Sequence, residues 1–149
     1  MEKNPEFDDI RPFYDEEVIP VIEKLLVDPL FKDIITRVFS PEEWNKFEAV
    51  MRSIKTKKEF QHGVIKVGLD EVIGKTIDCM DCSGFENVSK NGAYTYISNH
   101  RDIVLDAALL AIMLDNEGYE TIEIAIGDNL LSQPWIENVV RLNKSFIVK

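Results

Sequence analysis

Cysteine is scarce. Cys79 and Cys82 are the only two among 149 residues, which excludes a small disulfide-built scaffold. No run of 18 apolar residues occurs, so no transmembrane helix is expected. The start, MEKNPEFDD, is acidic and lacks the apolar stretch of a secretory signal. The expected location is therefore the cytoplasm, with both thiols in a reducing compartment. Basic residues are outnumbered, 17 Lys and Arg against 27 Asp and Glu, for a net charge of −10. Residues 1–77 hold 12 basic and 16 acidic side chains (net −4), and residues 78–149 hold 5 and 11 (net −6). Nucleic acid and anionic membrane surfaces are thus disfavoured as non-specific partners. Internal repeats and low-complexity segments are absent. What remains is an ordinary globular mixture, 45% hydrophobic and 30% charged, which excludes a disordered or collagen-like chain. A chain of this length buries enough surface to fold without disulfides or metal.

The chain changes character near Ile77. Before it, helix signals dominate. Glu16 to Val27 places Val18, Val21, Ile22, Leu25 and Leu26 on one face, with Pro20 either in the first turn or shortening the helix. Asp28-Pro29 is an N-cap followed by proline at the first helical position, and it opens a second helix with Phe31, Ile34, Ile35 and Val38 as its stripe. Ser40-Pro41-Glu42-Glu43 opens a third, with Trp44, Phe47, Val50 and Met51. Thr56-Lys57-Lys58-Glu59 is a capping box for a fourth that runs towards Gly74 through Phe60, Val64, Val67 and Val72. Four amphipathic helices with short connections predict a helical region over residues 1–77.

After Ile77 strands and helices alternate. Tyr94 to Ser98 (YTYIS) is β-branched and aromatic and predicts a strand. Ile103 to Leu114 is almost wholly apolar and ends at Asn116-Glu117-Gly118, which predicts a buried helix. Thr121 to Ile126 carries isoleucine at every second position and predicts a strand. Asp128 can cap a helix through Leu130 and Val140, with Pro134 as a potential break, and Ser145 to Val148 is a final strand. The expected class is α/β: an N-terminal helical region followed by a partial parallel sheet with covering helices.

The chemistry-bearing stretch is Ser98-Asn99-His100-Arg101-Asp102-Ile103-Val104-Leu105-Asp106. A strand ends, a polar cluster follows, and a helix begins, which is where open α/β sheets bind ligands. Asp106 lies inside an apolar run, where a carboxylate needs a partner. An imidazole such as His100 satisfies it and is oriented by it. The same residues also fit a plain capped turn.

Three blocks in order resemble the glycerolipid acyltransferases, of the glycerol-3-phosphate and lysophosphatidic acid acyltransferase type. The first is Asn99-His100 followed by Asp106. The second is Ile124-Ala125-Ile126-Gly127-Asp128-Asn129-Leu130-Leu131 with Pro134-Trp135-Ile136. The third is Arg141 to Lys149. The resemblance covers residues 78–149 and departs from the family in two places. Five residues separate His100 from Asp106 where the family has four, which leaves Asp102 as an alternative carboxylate. The family's later Glu-Gly-Thr-Arg block has no counterpart, so residues 78–149 are expected to be the first part of an acyltransferase-like domain, truncated at its C-terminus.

The resemblance implies acyl transfer from an acyl thioester, either acyl-coenzyme A or acyl-carrier protein, to a small lipid-precursor hydroxyl. His100 is then the general base and Asp106 its partner. Arg101, Asn99 and Lys149 are the substrate-binding candidates. No metal and no resident cofactor are implied, and peripheral contact with the inner membrane face is inherited from the resemblance. An open sheet edge adds an expectation of self-association. On the acyltransferase reading this chain, as a fragment, can lack activity by itself; the rival reading is a non-catalytic protein- or lipid-binding module.

Other signals carry less. His100-Arg101-Asp102 spells a kinase tripeptide, but Ala107 stands where that loop needs asparagine and no glycine-rich loop precedes it. Cys79-Met80-Asp81-Cys82 has metal or redox spacing without a second ligand pair. His62 near Lys55, Lys57 and Lys58 is expected on a solvated helix face. Trp44 and Phe47 are expected in the core.

Overall fold

The computed structural model describes residues 4–40, 42–99 and 101–149. The chain divides into two compact units. The first runs to Val67 and resumes as Glu123–Lys149, and the second is Gly68–Ile122.

The first unit is built around α1 (Asp15–Val27), whose buried residues are Val18, Val21, Ile22, Leu25 and Leu26. This is the stripe expected from the sequence. Pro20 lies within α1 on its exposed side. The helix nonetheless continues through it to Val27. Asp28 ends α1 and starts α2 (Pro29–Phe39), its Oδ1 accepting from the backbone N–H of Leu30 (2.9 Å) and Phe31 (3.1 Å). The side chain of Val38 and the whole of Pro41 lie outside the described residues. The third helix, α3 (Trp44–Ser53), begins later than the Ser40 signal suggests. Ser40 has a positive φ of 88° and its hydroxyl donates to Glu43 (3.1 Å) instead of accepting from the helix. At α4 (Lys57–Phe60) the expected capping box forms. Glu59 N–H donates to Thr56 Oγ1, and Thr56 N–H donates to Glu59 Oε2, both at 3.2 Å. A π-helical stretch, Gln61–Lys66, then leads into α5 (Val67–Thr76).

Phe13, Phe31, Trp44, Met51, Ile54, Phe60 and Leu142 complete the core around α1. Phe47 sits with its ring centroid 6.1 Å from Phe31 and 5.8 Å from Trp44, so both aromatics of α3 serve packing. The unit closes with a βαβ segment: β1 (Ile124–Gly127), α7 (Pro134–Leu142) and β2 (Ser145–Val148). The strands are parallel, Ile124 opposite Ser145 and Gly127 opposite Val148. Pro134 is the first residue of α7, where its missing N–H costs nothing. Asp128–Leu130 forms a separate 3₁₀ turn, so the proline starts this helix and the earlier cap at Asp128 does not.

The N-terminal segment is strapped onto this βαβ segment by Arg141. That side chain is buried. Its Nε donates to the Arg11 carbonyl (2.8 Å), Nη2 to the Asp8 carbonyl (2.6 Å) and Nη1 to Glu137 (2.9 Å). Its guanidinium lies 4.2 Å from the Phe13 ring centroid. Ile147 N–H donates to the Ile10 carbonyl (2.8 Å), which covers one edge of β2.

In the second unit, α6 (Leu105–Asn116) ends at Gly118, whose φ of +74° is the left-handed C-cap that the sequence signals. Ile112 and Leu114 are its buried residues. Ile103 and Val104 precede the helix and are exposed, so the run is less buried than its composition suggests. Tyr119 stacks on Phe85 (5.6 Å), and its hydroxyl reaches the carbonyls of Phe85 (3.1 Å) and Val88 (2.9 Å). This ties the 85–90 turn to the end of α6. The strand expected at Tyr94–Ser98 is not formed. The segment carries no ladder among the described residues, because strand structure needs a hydrogen-bonded neighbour as well as propensity.

Candidate functional site

Asp106 is the second residue of α6, half-buried at the start of the helix. Its Oδ2 accepts from the backbone N–H of Arg101 (2.6 Å) and Asp102 (3.0 Å). Asp102 answers from the other side, its Oδ1 accepting from Val104 N–H (2.8 Å) and Leu105 N–H (2.7 Å). The two carboxylates therefore brace one loop reciprocally, in the manner of a capping box with one extra residue. They also satisfy four donors at a helix start, where backbone N–H groups otherwise lack partners.

Arg101 and Asn99 are exposed. His100 lies outside the described residues. Lys149 belongs to the first unit, where its ammonium pairs with Asp9. That pairing holds the Lys149 pKa above, and the Asp9 carboxyl below, their ordinary values. Asn99, Arg101 and Asp106 are thus neighbours in one loop–helix segment of the second unit, and Lys149 pairs within the first. A shallow cleft of about 250 Å³ in the first unit is lined by Phe7, Ile10, Tyr14, Glu123 and Phe146, among others. Asn99, Arg101, Asp106 and Lys149 are not among its lining residues.

Two residues have structural roles that their sequence context does not announce. Asp102 is a candidate partner for His100 in the sequence, and in the structure its carboxylate caps the start of α6. Arg141 stood in a motif block without a role of its own. Only the tertiary fold brings the carbonyls of Asp8 and Arg11 to its guanidinium. Cys79 and Cys82 are exposed free thiols. Among the described residues no group of three or more metal-ligating side chains is found, and no helix is long and apolar enough to cross a membrane.

No curated protein matches the chain, and no solved structure does. The model of the acyltransferase family matches residues 79–149, so the segment that begins at Cys79 and contains Asn99, Arg101, Asp106, β1, α7 and β2 carries the sequence pattern of the acyltransferases.

Proposed function

We propose that this protein is an acyltransferase that moves a fatty acyl group from an acyl thioester to the hydroxyl of a glycerol-phosphate or lysophospholipid-type acceptor. The observation that carries the reading is the Asp106 carboxylate, turned back onto residues 101 and 102 inside the stretch that matches the family. A carboxylate fixed beside a histidine can hold the imidazole in one tautomer and stabilise its protonated form.

In this mechanism His100 takes the proton of the acceptor hydroxyl as its oxygen attacks the thioester carbonyl. A carbon–oxygen bond forms, the carbon–sulfur bond breaks, and the departing thiolate recovers the proton from the imidazolium. The acceptor is the nucleophile, so no acyl-enzyme forms. Arg101, exposed beside the histidine, suits the acceptor phosphate through its planar fork of donors, and Asn99 contributes a neutral donor. Acyl-coenzyme A or an acyl-carrier protein is the co-substrate, no metal takes part, and the protein works in the cytoplasm or against the inner membrane face.

The test is thiol release from acyl-coenzyme A by the full chain, with glycerol 3-phosphate or lysophosphatidate as acceptor. Positioned general-base catalysis is worth about 10²–10⁴-fold, so His100→Ala should lower turnover by about that factor and leave the urea midpoint unchanged. Retained turnover in His100→Ala would overturn the base assignment. A wild-type chain that releases no thiol with either acceptor would overturn the substrate assignment.

A further inference from the structure

We propose that Cys79 and Cys82 are a redox-active dithiol that closes to an intramolecular disulfide by exchange with a small-molecule disulfide of the glutathione disulfide type. Both are free and exposed. They are the only cysteines of the chain, so within one copy each has the other as its sole partner. They stand three residues apart, and their meeting depends on the local chain alone. A disulfide needs its two Cα atoms about 4.4–6.8 Å apart. A β-turn brings the Cα atoms of residues i and i+3 within about 7 Å, so a turn at Met80-Asp81 sets the two sulfurs within reach. The backbone is free to make that turn. Residues 77–84 lie between α5 and the Phe85–Asn87 turn, outside helix and strand. Cys82 bonds to its sequence neighbours, its N–H donating to Asp81 Oδ1 (2.8 Å) and its Sγ to the Ser83 carbonyl (3.9 Å). No helical turn or strand ladder has to break for the ring to close.

The exchange runs in two steps. The thiolate of one cysteine attacks a sulfur of glutathione disulfide. A protein–glutathione S–S bond forms, the S–S bond of the oxidant breaks, and one glutathione leaves as its thiolate. The second cysteine then attacks the protein sulfur of that mixed disulfide, and the second glutathione leaves. The protein dithiol gives up two electrons to the oxidant, and its two thiol protons end on the two glutathiones. The spacing decides which product accumulates. A thiol held by so short and flexible a link acts at an effective concentration of about millimolar. At glutathione concentrations about a tenth of that, the ring should exceed the mixed disulfide by roughly tenfold. Closure shortens the chain that leads into the 85–90 turn, which Tyr119 ties to the end of α6.

The test is mass spectrometry of the full chain, which needs no activity. The chain is equilibrated without air in buffers of falling reduced-to-oxidised glutathione ratio, quenched with acid and capped with N-ethylmaleimide. The wild type should pass from a doubly alkylated form to one that is lighter by two hydrogens and carries neither maleimide nor glutathione. Cys79→Ser and Cys82→Ser should each carry one glutathione instead, which shows that either thiol is within reach of the oxidant and that the ring is what removes both in the wild type. A wild type that keeps two alkylatable thiols in excess glutathione disulfide, that accumulates two glutathiones, or that runs as a covalent dimer on a non-reducing gel would overturn the proposal. So would serine variants that take up no glutathione.

Discussion

Buried side chains are shared unequally between the two units. The first holds the whole cluster around α1, with Val18, Leu25, Met51 and Leu142 fully enclosed. The second holds Ile112 and Leu114, and every described residue from Gly92 to Val104 is exposed. The segment that matches the acyltransferases is divided between them. Residues 79–122 belong to the second unit, and β1, α7 and β2 belong to the first. Packing and candidate chemistry are therefore separated. The βαβ end of the matched segment is held by the N-terminal helices, whereas the loop of Asn99, Arg101 and Asp106 is held by local backbone hydrogen bonds. Regions with few buried apolar contacts open at low free energy, and binding loops are commonly drawn from such regions.

The contrast is broken most directly by cutting into the core. Leu25→Ala removes a fully enclosed side chain and should cost about 2–5 kcal/mol, read as a lower urea midpoint. Ile97→Ala removes a side chain that touches almost nothing and should stay within about 0.5 kcal/mol of the wild type. Equal losses at the two positions would erase the distinction between the units. Arg141→Met comes next. It keeps an apolar stem but removes the guanidinium that lies over Phe13 and strips the carbonyls of Asp8 and Arg11 of their donors. A buried polar group left unmet costs about 1–3 kcal/mol, so the loss should be about 2–4 kcal/mol in total. Hydrogen exchange should show protection falling first at the Ile147 amide that bonds Ile10.

Those residues also mark how far the sequence could be read. The stripe of α1, the Asp28 cap, the Thr56–Glu59 box, the Gly118 stop and the β2 strand are local signals, and each formed as its residues suggest. Asp106 stands out because a carboxylate in an apolar run needs a partner, and the backbone N–H groups of Arg101 and Asp102 both donate to it. What could not be read depends on neighbours distant in sequence. Tyr94–Ser98 has the propensity of a strand, but no ladder partner is found for it among the described residues. The Arg141 clamp joins positions separated by 130 residues or more, and no periodicity encodes that meeting. Pro134 reads as a break in a helix that starts at Asp128, but it is the first residue of α7, where proline starts a helix.

A smaller effect sharpens the picture of the site loop. Asp102→Ala removes the acceptor for Val104 and Leu105 N–H and should cost about 1 kcal/mol, as loss of a cap does. Asp102→Asn keeps an acceptor oxygen and should recover most of it. If turnover follows the loop and not the charge, the asparagine variant keeps both stability and thiol release, and Asp102 is a positioning residue. Loss of turnover with stability retained would instead give Asp102 the partner role assigned to Asp106.

The smallest effect lies in the strap. Arg11 donates to both oxygens of Glu17 (2.7 and 3.2 Å) and to Asp8 (2.7 Å). The hydrogen bond from Arg11 is the chief reason that the Glu17 carboxyl sits below its ordinary pKa, with burial opposing it and the Tyr14 N–H adding to it. A carboxylate with a depressed folded pKa contributes its stability above the ordinary glutamate range and loses it as pH falls through the folded value. Glu17 is more than a third exposed, so water screens the pair and the contribution should stay under ~1 kcal/mol. Glu17→Gln should therefore lower stability slightly at neutral pH and make it fall less steeply once the pH drops below the ordinary glutamate range. An acid-unfolding slope identical in wild type and variant would mean that the backbone contacts of Arg141, and not this ion pair, hold the N-terminal segment in place.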